Sequence, residues 1–73
     1  MYDVIDGIQI GKRIKELRTE RGETAEDLAK ATGISTSAVI MYEYGRRIPR
    51  DEIKISIAEH FGVTVESIFY PTK

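Results

Sequence analysis

Apolar residues recur at helical spacing along most of the chain. Ile10, Ile14 and Leu17 fall at i, i+4 and i+7, one stripe of a helix over about residues 8–21, and Gly22 suits its C-terminal cap. "TAED" at residues 24–27 reads as a capping box, with Thr24 as N-cap and Asp27 as a shorter stand-in for Glu. The helix it opens places Ala25, Leu28, Ala29 and Thr32 on one face and stops at Gly33. Ser35 caps a third helix, Ile34 and Val39 are spaced for a hydrophobic staple, and Val39 and Tyr42 point one way. That helix should end near Glu43 or Tyr44, because Gly45 follows.

A fourth helix is predicted over residues 51–61. Pro49 precedes it, Asp51 and Glu52 favour its N-terminus, Ile53, Ile57, Ala58 and Phe61 form its stripe, and Gly62 ends it. Ile55 lies well off that stripe. A brief fifth helix starts at Thr64, with Val63 stapled to Ile68, and runs to Phe69 and Tyr70 before Pro71. No stretch alternates as a strand. The pattern gives an all-α chain of five short helices in one domain, with an arm at residues 1–7 and a helical core over 8–70. Tyr2, Val4 and Ile5 of the arm offer only a weak pairing signal.

Composition narrows the function. With 73 residues there is room for one small domain, and such a domain buries only about 60% of its unfolded surface. Cysteine is absent, which excludes disulfides and thiolate metal sites. No apolar run approaches the roughly 20 residues of a membrane span, and the N-terminus carries acids where a signal peptide needs basic residues, so a cytoplasmic protein without a membrane partner is expected. An enzyme is rejected: there is one histidine, His60, at the edge of a helical stripe and best read as structural, with no phosphate loop and no paired acids on a defined face. No cofactor or metal is implied.

The net charge of −1 argues against a generic polyanion binder, yet the layout is patchy. Lys12, Arg13, Lys15, Arg18 and Arg21 crowd one segment, and Arg46, Arg47 and Arg50 another. Lys15 and Arg21 read as surface charges paired with Glu16 or Glu20. Between the basic segments, residues 24–44 form a short helix, a tight Gly33 turn and a second short helix, the helix-turn-helix pattern, with the small Ala29 where crossing helices approach. A plain helical bundle would share these features.

The stretches "IGKRIKELRTERG", "TAEDLAKATGISTSAV", "YEYGRRIP" and "IAEHFGVTVESIF" resemble the lambdoid-phage repressor and Cro class of helix-turn-helix domains, the XRE family, over residues 10–69. The resemblance implies a lambda-repressor-like fold whose third helix reads double-stranded DNA, a transcriptional regulator of repressor type from a phage or mobile element. It implies base contacts from Thr36, Ser37, Ile40 and Met41, and phosphate contacts from Tyr44, Arg46 and Arg47, with Arg50 near the minor groove. The helix-two N-terminus at Thr24 and Ala25 can hold a phosphate through its backbone amides, and Arg13 near the start of helix one is also in reach of phosphate. The resemblance further implies a buried ion pair between Arg18 and Glu43. The chain departs from the family at Ala25, where Gln usually binds a phosphate, at Glu23, usually apolar, and at Lys54, usually a core Leu, so that Ile53 or Ile55 should take over that packing.

Base reading does not require charged side chains. Ser and Thr hydroxyls bond several base edges, and apolar groups pack against the thymine methyl. Without Arg or Gln forks the direct code is soft, and DNA shape carries more of the specificity. A soft half-site reading favours a homodimer on two half-sites, with Ile55, Phe69 and Tyr70 as candidate interface. The rival reading is a protein-interaction module, antitoxin-like or regulator-binding, that uses Ile40, Met41, Ile55, Phe69 and Tyr70 for a protein partner.

Overall fold

Three of the helices start on a hydroxyl. Thr24 Oγ1 accepts from the Asp27 amide at 3.0 Å while the Thr24 amide donates back to Asp27 Oδ2 at 2.9 Å, which closes the capping box. Ser35 and Thr64 accept from the amides three residues on, at 3.0 and 3.1 Å. Each such cap contributes about 1 kcal/mol, a useful fraction for helices this short. The structure, a computed structural model, describes residues 7–70. They form α1 Gly7–Glu20, α2 Ala25–Thr32, α3 Thr36–Glu43, α4 Asp51–Phe61 and α5 Val65–Phe69, with no strand among the described residues. Tyr2, Val4 and Ile5 lie outside the described residues. Helix α4 begins differently: Arg50 is its N-cap residue without a side-chain cap bond, and Asp51 and Glu52 occupy the positive end of the helix.

One core joins all five elements. Ile10, Ile14 and Leu17 of α1 meet Leu28 and Ala29 of α2, Val39 and Tyr42 of α3, Ile57, Ala58 and Phe61 of α4, and Ile68 and Phe69 of α5. Helix α3 packs against α1 and α2, α2 also packs against α4, and α5 packs against α1 and α4. Helix α3 is therefore backed by two helices, and α5 packs across α1 and α4.

Three expectations change. Phe69 is only 1% exposed, a core residue, and so is withdrawn from the candidate dimer surface. An aromatic ring at the end of a five-residue helix covers the domain's own interior, because a chain this short has few other large side chains to fill it. Lys54 does not leave its core position to Ile55. It is itself buried at 6% exposure, Ile55 stays 50% exposed, and Ile53 packs partly on the core. The lysine stem supplies the apolar packing. Its Nζ donates to Tyr70 Oη at 2.6 Å, lies 3.7 Å from Asp51 Oδ1 and sits over the Tyr70 ring. Arg21 pairs with Glu23 at 3.2 Å rather than with Glu20.

Candidate nucleic-acid interface

Helices α2 and α3 are joined through Gly33, in the left-handed conformation that ends α2, with the Ile34 amide donating back to the Ala29 carbonyl. Ala29 is buried, as a close approach requires. Of the expected base-reading residues on α3, Ser37 and Ile40 are exposed and Thr36 and Met41 half-buried, with Ile40 at 41% exposure. Val39 and Tyr42 face inward. The outward surface of α3 thus offers two hydroxyls, two apolar side chains and no charge.

The charge comes immediately after. Tyr44, 71% exposed, ends α3. Arg46, Arg47 and Arg50 follow, all exposed, and none of them makes an ion pair among the described residues. Arg13 is half-buried on α1 and meets Glu16 at 3.4 Å. Thr24 is exposed at the start of α2, and Ala25 is half-buried against the core, so the place of the usual Gln is taken by packing. The α2 N-terminus keeps its backbone amides and carries Glu26 and Asp27 in its first turn. Bonds from the Thr24 amide and then the Thr24 hydroxyl group hold the Asp27 carboxyl below its usual range.

The C-terminal end of α3 is held from α1 by two devices. The first is Arg18. Its Nε donates to Glu43 Oε2 at 2.7 Å, Nη2 to Glu43 Oε1 at 2.9 Å and Nη1 to the Glu23 carbonyl at 2.8 Å. The two charged side chains are 12% and 9% exposed. The bond to Glu43 raises the Arg18 pKa further, against the opposing effect of burial. A planar fork on a carboxylate is the strong form of a charged hydrogen bond. The second device is backbone contact. Gly11 lies against the last turn of α3, where a Cβ would stand 2.5 Å from the Tyr42 carbonyl oxygen and closer still to that of Glu43. Gly45, at φ +76°, abuts Ile8 in the same seam.

Sequence reasoning missed two contacts. Glu23 accepts from His60 Nε2 at 2.9 Å and from Arg21 Nε at 3.2 Å, joining the α1–α2 turn to the end of α4. Burial works against the Glu23 charge, but the His60 and Arg21 bonds outweigh it and hold the carboxyl below its usual range. An acid where the family has an apolar residue was the available signal. The other is the role of Gly11, signalled by a glycine in mid-helix.

A domain of five helices with a backed second helix-turn-helix member and an arginine-rich exit is the architecture of a DNA-reading domain. The helix-turn-helix signature HTH_3 matches residues 14–68, and the chain belongs to this XRE-type family. It is 39% identical over 57 residues to an uncharacterised HTH-type transcriptional regulator of Methanocaldococcus jannaschii, covering 78% of this chain and 86% of the relative. It is 35% identical over 63 residues to the uncharacterised HTH-type regulator YazB of Bacillus subtilis, covering 86% and 91%. Among solved structures it is similar to the restriction-modification controller protein C.AhdI of Aeromonas hydrophila, with TM-score 0.82, 30% identity and coverage of 88% and 97%. No helix among the described residues is long and apolar enough to cross a membrane.

Proposed function

We propose that the protein is a DNA-binding transcriptional regulator that acts in the cytoplasm as a homodimeric, sequence-specific repressor of phage or mobile-element type. Membership of the family supports DNA binding and not enzymatic activity. The observation that carries the reading is the sequence of surfaces along one segment. An uncharged α3 face with Thr36, Ser37, Ile40 and Met41 is followed at once by Tyr44, Arg46, Arg47 and Arg50, and the three arginines make no ion pair among the described residues. Bases are met by hydroxyls and methyl-seeking apolar groups, and phosphates by the arginines. Thr24, the amide of Ala25 and Arg13 contribute to the phosphate path. Ile55 and Tyr70, 50% and 43% exposed, are the dimer candidates that remain.

The test is unbiased selection of bound duplexes at stated salt. The expected result is a motif with two-fold symmetry and half-sites about 34 Å apart. Arg46→Ala or Arg47→Ala should weaken all duplexes about equally and lower the salt slope by roughly one per lost contact. Thr36 and Ser37 substitutions should change the preferred sequence instead. Recovery of no motif would favour the rival, a protein-binding module centred on Ile40 and Met41.

A further inference from the structure

We infer that Gly11 of α1 is a positioning residue for DNA binding: its bare backbone sets where the end of α3, and with it Tyr44, Arg46 and Arg47, meets the duplex. The inference rests on the DNA-binding reading above. Gly11 is buried inside α1, where alanine would be the better helix former. Its conformation does not call for glycine, since the positive-φ positions are Gly22, Gly33, Gly45 and Gly62. What it provides is space. A Cβ there would stand 2.5 Å from the Tyr42 carbonyl oxygen and 2.7 Å from the Glu43 carbonyl carbon. Both neighbours are backbone, so no side-chain rotation relieves the overlap, and α3 must move away from α1.

The seam continues toward the arginines. A Cβ on Gly7 would meet the Gly45 carbonyl oxygen at 3.0 Å and Ile48 Cδ1 at 3.2 Å. One on Gly45 would lie 2.9 Å from Ile8 Cα. Gly45 connects Tyr44 to Arg46, so the height of α3 on α1 becomes the position of the phosphate-contacting segment. The Arg18–Glu43 fork lies at the same end of α3. It fixes the side-chain side of that end, while Gly11 fixes the backbone side. Glycine at residue 11 thus gives up helix propensity for a recognition helix seated deep on its support.

The experiment compares Gly11→Ala, the milder Gly7→Ala, and Ile57→Val, a buried change on α4, which contributes no residue to the glycine seam. Each is measured for folded fraction, amide chemical shifts without DNA, and affinity for the selected duplex against salt. Gly11→Ala should displace the amide signals of residues 42–47 and weaken binding about tenfold, the effect of one mismatched base pair. It should also reduce the salt slope by about one. Gly7→Ala should act in the same direction but less, and Ile57→Val should leave affinity per folded molecule and slope unchanged. Wild-type affinity and slope in Gly11→Ala, or equal losses in Ile57→Val, would overturn the inference. If Gly11→Ala does not fold, Gly7→Ala carries the same comparison. If the wild-type protein selects no duplex, the DNA reading fails, and unmoved amides in the glycine variant would separately overturn the seating role.

Discussion

Arg18 and Lys54 are both cations withdrawn from water, at 12% and 8% side-chain exposure, and each braces a different end of the molecule. Arg18 spends its fork on one carboxylate and one carbonyl, with all three bonds at 2.9 Å or less. Lys54 is a point charge with one short bond, to a phenol hydroxyl, and a looser approach to Asp51, whose own side chain is 91% exposed. The remainder of its environment is the faces of Tyr70 and Phe69, at 4.8 and 5.8 Å. The difference separates a charge that the fold is built around from one that the fold tolerates. Arg18 joins α1, the α1–α2 turn and the end of α3, while the Lys54 stem fills a space a leucine would also fill.

The largest effect should come from breaking the first brace. Glu43→Ala leaves the Arg18 guanidinium buried without its carboxylate and should cost about 3–5 kcal/mol, read from urea unfolding, a large share of the stability of a domain this small. A loss below about 1 kcal/mol would place the pair with ordinary surface ion pairs. The second brace should respond in the opposite sense. Lys54→Leu removes a desolvated charge while keeping the volume and should raise stability by about 1 kcal/mol. A clear loss in the same urea assay would mean that the ammonium–phenol contact holds α5 as firmly as Arg18 holds α3.

The smallest effect belongs to the contact that lies between them. The Glu23 carboxyl is held below its ordinary value of 4.5 in the folded state. The unfolded chain therefore binds the proton more tightly, and stability must rise with pH across that range. The Glu23 contribution is complete above about pH 4.5 and lost as pH falls through the lower folded value. Glu23→Gln should flatten the acid limb of stability measured by urea unfolding between about pH 3 and 6, and an unchanged limb would leave the His60–Glu23 contact without energetic weight.

What the sequence made legible was local. The Thr24, Ser35 and Thr64 caps lie three residues from the amides they receive, and all five helix positions followed from such short patterns and their stripes. The charge of Lys54 suggested a surface position, because nothing local shows that Tyr70, sixteen residues on, supplies an acceptor. Glu23 and His60 are separated by 37 residues, and their pairing depends on how α4 closes on the α1–α2 turn. The meeting of Arg18 and Glu43 was expected from family resemblance rather than from spacing. For Phe69, an exposed and a buried ring look alike until the packing of α5 on α1 and α4 is known. At the candidate site, the residue types of α3 were plain, but the glycine seam that seats the helix consists of missing atoms and leaves no hydrophobic pattern.

Helix α3 has eight residues, and an isolated helix shorter than about 12 residues is marginal in water. Its persistence is therefore a property of its contacts with α1 and α2. Because Arg18 bonds the end of α3 and the α1–α2 turn at once, a fluctuation that frees α3 strips both Glu43 bonds from the side chain that also braces the C-terminal turn of α1. The opening of α3 is thereby coupled to that turn of α1, and the backbone amides of the two should report similar opening free energies in hydrogen exchange. For the proposed reading of bases this is a matter of timing: the exposed face of α3 lasts as long as the support behind it, not as long as a short helix would by itself.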